Sequence, residues 1–239
     1  MSTSGRHIDL RWRIVPVALV ILGLAFLIPN VFSQAQNTIE VFTTDSNPYN
    51  VTYGDWTARW WRWALSIPND VNPVGDMTGQ YCGQKQEGPV WFLAGTFGGK
   101  AERSCTIPEG KAILFSPINA ECSYAENTDL KSESELRNCA KSIQDQVTQM
   151  EVTVDGTKLE DLPKNRIQSS IFDFELPKEN VFGLPAGTSK AVSDGSWVFL
   201  KPMSRGNHTI HSVGVAVDPT TTAKGPPFTS DVTYHLTIK

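Results

Sequence analysis

The chain has 239 residues, with Lys+Arg 21 against Asp+Glu 25 for a formal net charge of −4, and is 40% hydrophobic. It contains no basic run, and phosphate affinity rests on Lys and Arg neutralising backbone charge, so nucleic acid is excluded as a partner. The length suits one domain with a sizeable core of its own.

Arg6, Arg11 and Arg13 precede the uncharged residues 14–28, and then come Pro29, Asn30 and the small residues Ser33 and Ala35. A positive start, an apolar run and small residues at −3 and −1 of a cut after Ala35 describe a secretory signal. Counted from Leu10 to Phe32, the segment is also long enough to stay in place as an anchor. Residues 1–35 therefore read as a signal peptide or N-terminal membrane anchor, with the arginines kept on the cytoplasmic side. Residues 36–239 read as a single extracytoplasmic domain, secreted or anchored to the cell membrane by that apolar segment alone. Without Arg6, Asp9, Arg11 and Arg13 this domain is more acidic than the whole chain.

Residues 37–44 alternate Ile39, Val41 and Thr43 with polar neighbours, which predicts a first strand. Turn formers in residues 45–50 (DSNPYN) end it. Residues 54–68 (GDWTARWWRWALSIP) hold four of the seven tryptophans. Asp55 is the expected N-cap of a helix there, and Pro68 its stop. At about 100° per residue, Trp56, Trp60, Trp63 and Ile67 share one arc with Ala64 beside it. Ala58, Trp61 and Leu65 form a second apolar sector, leaving Arg59, Arg62 and Ser66 on a narrow polar one. A helix apolar over most of its circumference is buried on two sides, so packing accounts for the tryptophans. Trp61, bordered by Arg62, is the candidate ligand-binding position if the helix does more than fold.

Residues 67–88 are turn-rich. Asn69, Asp70, Asn72 and Asp76 offer oxygen ligands, but not at calcium-loop spacing, and an Asx-turn loop is expected. Residues 89–95 (PVWFLAG) predict a strand buried on both faces. Residues 94–101 (AGTFGGKA) fall one residue short of a phosphate-binding loop and put Ala101 where the magnesium-binding Ser or Thr belongs, so a Gly-rich hairpin is expected. A turn at 108–110 leads into a strand over 111–118. The four cysteines, Cys82, Cys105, Cys122 and Cys139, all lie in the exported part, and an even count there implies two disulfides. Of the three pairings, Cys82 with Cys105 and Cys122 with Cys139 closes two compact loops and is the one expected. A four-thiolate metal site would show C-x-x-C knuckles, which are absent.

Ser132 and Glu135 predict a capping box. The apolar stripe Leu136, Ala140, Ile143, Val147 and Met150 follows, with Cys139 beside it, so the second bridge would pin this helix to the loop of Cys122. After Met150 the period becomes two, running through Val152 and Val154 into the tight turn Asp155-Gly156. Strands are expected over 171–176, 197–202, 207–217 and 229–238, with turns at 184–187, 194–195 and 205–206. The predicted fold is mainly β: a two-layer antiparallel β-sandwich, jelly-roll or immunoglobulin-like in plan, with a Trp-rich N-terminal helix and a second helix pinned by a disulfide.

Several motifs occur together: W-x-x-x-W-W-x-W over residues 56–63, GPVWFLAGT over 88–96, VDG over 154–156, W-x-x-L-K-P over 197–202 and G-x-H-T-I-H over 206–211. In these the chain resembles a family of uncharacterised exported microbial proteins. The resemblance implies one exported domain and transfers no activity, ligand or catalytic residue.

Most catalytic signatures are missing: no G-x-S-x-G, no H-E-x-x-H, and no thiol once the cysteines are bridged. His208 and His211 fall on opposite faces of one strand, and His208 meets His235 only in one register of the last two strands. No metal or cofactor is therefore expected. Carboxylates are plentiful, yet nothing in their spacing selects a glycosidase pair. The expected function is a non-enzymatic binding or structural role at the cell surface, toward an unidentified surface partner or glycan. The alternatives are a carbohydrate-binding or carbohydrate-active protein with an exposed tryptophan as sugar platform, and a membrane-interface protein lying on its Trp/Arg helix.

Overall fold

The computed structural model describes Met1 and residues 39–217 and 226–239. The expected signal or anchor, residues 1–35, lies outside them. Among the described residues no helix is long and apolar enough to cross a membrane. In chain order the elements are α1 (Tyr53–Ser66), β1 (Val90–Phe92), β2 (Gly99–Ile107), β3 (Ala112–Ser123), α2 (Glu133–Gln144), β4 (Val147–Val154), β5 (Thr157–Lys158), β6 (Arg166–Gln168), β7 (Phe172–Leu176), β8 (Gly187–Leu200), β9 (Gly206–Ala216) and β10 (Phe228–Ile238).

The strands form two five-stranded sheets, one in the order β1-β3-β8-β6 with β7 also on β8, the other in the order β2-β10-β9-β4-β5. The mainly β sandwich is found, but each sheet is mixed: β1 runs parallel to β3, and β2 parallel to β10. The expected Gly-rich hairpin does not exist. Residues 93–98 instead carry the chain from β1 in one sheet to β2 in the other, so each strand joins an edge beside a strand of its own direction.

β3 nearly throughout, and β8 from Ala191 onward, are buried because both their faces are covered. Ile113, Phe115, Val198 and Leu200 pack toward the second sheet with Ile107, Val152, Val232 and Leu236. Leu114, Trp197 and Phe199 turn the other way and pack under α1. At the far end of the first sheet, Cys122 and Val192 pack against Leu136 and Ala140 of α2. Both predicted disulfides are present, Cys82–Cys105 and Cys122–Cys139, each with Cα atoms 6.0 Å apart.

α1 begins earlier than the sequence suggests. Thr52 is the N-cap, its hydroxyl accepting from the Asp55 N–H at 3.1 Å, and Asp55 lies inside the first turn, where its negative charge suits the helix dipole. At the other end Asn72 Nδ2 donates to the carbonyls of Ala64 and Ile67, both at 2.8 Å, which satisfies groups that the helix leaves open. Trp56, Trp60, Trp63 and Ile67 are buried as expected, and so is the second sector of Ala58, Trp61 and Leu65.

Other expectations shift. Residues 39–44 contribute one isolated bridge, Val41 to Leu200, rather than a strand. Asp194-Gly195 is not a turn but the middle of β8, with glycine required because a Cβ there would meet Asn119 Cβ at 2.4 Å. α2 keeps its capping box but ends at Gln144, and Val147 and Met150 belong to β4, paired with β9. Cys122 lies in β3 itself, so the second bridge ties α2 to a strand. The Asx reading holds in the loop after α1: the carboxylate of Asp76 accepts from the N–H groups of Thr78 and Tyr81, both at 2.8 Å.

Candidate functional site

β1 pairs only with residues Ala112 to Leu114 of β3, so beyond Leu114 that edge of β3 has no strand beside it among the described residues. The same stretch is irregular: its register with β8 shifts between Phe115 and Ile118, around Ser116 and Pro117. Proline cannot donate to a ladder and is tolerated at such a bulge. Ser116 secures the irregularity by donating to the Ser196 carbonyl at 2.6 Å.

A cleft of about 810 Å³ opens along this free edge, within the size range of small-molecule sites. Trp61 enters from α1 and Phe97 from the crossing loop; Ile118, Asn119 and Glu121 come from β3. The connection from α2 to β4 adds Ile143, Gln144 and Val147, and Phe228 stands at the start of β10. A smaller hollow of about 100 Å³ shares Trp61, Phe97, Ile118, Asn119 and Phe228 with it. Phe97, Ile143 and Phe228 are 55%, 42% and 44% exposed, which gives the cleft an apolar mouth. Large exposed apolar side chains gathered at one opening mark a binding surface more often than chance scatter does.

Two buried polar groups on this wall lack partners. Trp56, Trp60 and Trp63 donate their indole N–H to the carbonyls of Pro48, Leu93 and Gln84 at 2.8, 2.9 and 2.7 Å. The fourth tryptophan of α1, Trp61, has no acceptor for its Nε1. Glu121 is only 9% exposed, and its carboxyl oxygens receive no hydrogen bond from any donor; the one group within hydrogen-bonding reach is the carboxyl of Glu126. Unsatisfied buried polar groups are rare and costly in folded proteins. Burial pushes the Glu121 carboxyl well above the ordinary carboxylate range, and the acidic side chain of Glu126 beside it adds to the rise. Glu126 is exposed and is held by Ser123, whose hydroxyl donates to it at 2.9 Å.

The most deeply buried charged residue among those described contrasts with this. Arg103 is 1% exposed, yet its donors reach the carbonyls of Val74, Asp76, Ala94 and Gly95 and the Tyr234 hydroxyl at 2.6–3.2 Å. It clamps three segments together and has no capacity left for a ligand.

No family model matches this chain, and no curated protein or solved structure matches it significantly. The candidate site therefore stands on its geometry alone.

Of the two residues singled out from the sequence, Trp61 lines the cleft and Arg62 does not. Arg62 donates to the Asp173 carbonyl at 2.8 Å and lies over the Phe172 ring at 5.5 Å, fastening β7 to the helix. The histidines are dispersed: His208 pairs with Asp155 at 2.7 Å, His211 with Asp231 at 2.9 Å and His235 with Glu102 at 2.9 Å. The register sets His208 opposite Leu236 and His235 opposite Thr209, so the two do not share a face. Among the described residues, no group of three His, Cys, Asp or Glu could hold a metal ion. All six described tryptophans are buried, Trp61 most exposed at 9%, so no indole presents an open face. Sequence reasoning missed Glu121 and the aromatic mouth. The signal for Glu121 was a carboxylate inside an otherwise uncharged strand, AILFSPINAECS.

Proposed function

We propose that the exported domain is a non-enzymatic binding protein that admits a small molecule with an apolar body into the cleft beside β3. The observation that carries this reading is the pairing of apolar walls with two buried groups that lack partners, Glu121 and the Trp61 indole, at a site of ligand size. Such pockets are mostly apolar, with a few polar groups that fix orientation. Two disulfides are consistent with an oxidising, extracytoplasmic compartment. The alternatives draw less support: a sugar platform needs an open indole face, and a membrane-surface helix needs a free apolar sector, whereas both apolar sectors of α1 are buried.

Titration with N-phenyl-1-naphthylamine, a neutral apolar fluorophore, tests the reading. Saturable enhancement at one site is expected, weakened at least tenfold by Phe97→Ser combined with Phe228→Ser, with unchanged far-ultraviolet circular dichroism. Absence of a saturable site, or indifference to the paired substitution, would overturn it.

A further inference from the structure

We infer that the molecule this cleft accepts carries a cationic group, which it sets against Glu121 and the surrounding aromatic rings. The inference rests on the binding role just proposed and adds the chemical class of the ligand. Two acidic side chains, Glu121 and Glu126, line the cleft, and no Lys, Arg or His is among its described lining residues. Four aromatic rings line it too: Trp61, Phe97, Phe182 and Phe228. Aromatic faces carry negative potential and attract ammonium groups, most strongly where water is excluded. An anionic ligand would meet the Glu126 carboxylate and the negative ring faces, and a neutral one would leave the Glu121 carboxyl protonated, whereas a cation set beside it favours its ionised form.

Among the described residues, the cations near this end are already engaged. On α2, Arg137 binds Glu133 at 2.6 Å and Lys141 binds Asp145 at 2.5 Å. Arg166 of β6 is held by Asp194 at 2.8 Å and Asp145 at 2.7 Å. On α1, Arg59 lies over Trp56 at 4.6 Å and Arg62 is bound at β7. The residues on Glu121's face of the sheet, Asn119 of its own strand and Ser193 opposite it on β8, are neutral, and Glu126 is acidic. Glu121 is thus a buried acid beside which the described residues place no cation, at the wall of the cleft.

A charge series on one apolar tail tests this: octyltrimethylammonium, 1-octanol and octanoate, each titrated calorimetrically below micelle-forming concentrations at pH 8. The ammonium is expected to bind at least tenfold more tightly than the alcohol, and octanoate most weakly. Glu121→Gln should bring the ammonium-to-alcohol ratio toward one. Glu126→Gln, an exposed change that does not threaten folding, should lower it severalfold. If the alcohol or octanoate binds as tightly as the ammonium, or if the preference survives both substitutions, the cationic assignment falls while the binding role stands. If none of the three binds and N-phenyl-1-naphthylamine also finds no site, the binding role falls with it.

Discussion

Gly214 of β9 lies so close to Ile118 of β3 that a Cβ on Gly214 would stand 2.4 Å from the Ile118 Cβ and 2.5 Å from the Pro117 carbonyl oxygen. Here the second sheet meets the bulge of the first, and Ile118 also lines the cleft. Neither neighbour is the flexible end of a long side chain, so a methyl group must displace backbone. Gly214→Ala is expected to destabilise the fold by about 1–3 kcal/mol, the range for overpacking. In a domain of this size each kcal/mol lowers the Tm by about 2–4 °C. Gly83→Ala, where nothing lies within 4 Å, is the matched control and should be near neutral. Equal melting temperatures for the two variants would contradict the close approach.

Arg103 makes a different kind of joint. Replacement by methionine keeps much of the volume but leaves the carbonyls of Val74, Asp76 and Gly95 without the donors they now have. Breaking a buried, hydrogen-bonded charge in this way costs about 3–5 kcal/mol. Tyr234→Phe removes one acceptor of the guanidinium and should cost about 1–3 kcal/mol. Because the two groups share a hydrogen bond, the double variant should lose less than the sum, as urea unfolding of all four proteins would reveal. Strict additivity would mean that the arginine and the tyrosine act independently.

Arg103 also explains why part of the fold was hidden in the sequence. In β2 the inward positions are Ala101, Arg103, Cys105 and Ile107. A charged residue in that row breaks the alternation that marks a strand, so no strand is legible over residues 102–107; the Gly-rich hairpin expectation covers residues 94–101 alone. Gly195 misled in the opposite sense: Asp-Gly signals a turn, whereas here glycine admits Asn119 to the face of β8. The legible elements had local causes: the capping box of Ser132 and Glu135, the tryptophan arcs of α1, and the Asp155-Gly156 turn. The cleft is assembled from positions between Trp61 and Phe228, brought together by sheet order and by a strand that stops short. Those are tertiary facts. Of the cleft's lining residues, Trp61 is legible from the helical wheel, and the carboxylate at 121 leaves a weaker trace within a buried strand.

The two bridges act on chain segments of 23 and 17 residues in sequence separation. Closing loops of that size restricts the unfolded chain by about 3 kcal/mol each in the chain-entropy account. Replacing Cys82 and Cys105 together by serine should therefore lower stability by about that amount, and the Cys122 and Cys139 pair should behave alike. Peptide mapping without reductant should recover both linked pairs and no cross-linked alternative. A Cys82–Cys122 peptide would overturn the connectivity.

Glu121 gives the molecule an uncommon response to pH. The folded protein holds the Glu121 proton to higher pH than the unfolded chain, whose glutamates titrate near about pH 4.3. Folding takes up a proton between that value and the raised one, so this group's contribution to stability falls as pH rises through the window and is lost once the buried carboxyl ionises. Carboxylates held low have the opposite sign. For Asp76, burial pushes upward, but hydrogen bonds from the Tyr81 and Thr78 N–H groups and the Thr78 hydroxyl outweigh it; its contribution is present above the unfolded value and lost on acidification. Comparison with Glu121→Gln cancels those other groups. Between pH 5 and 9 the stability of the variant relative to the native protein should rise with pH, by at most about 1.4 kcal/mol per unit, and level off above the folded-state titration. Urea unfolding at half-unit steps measures it. A difference that stays flat across the range would show that Glu121 is ionised in the folded protein at pH 5, with a counter-ion that the described residues do not supply.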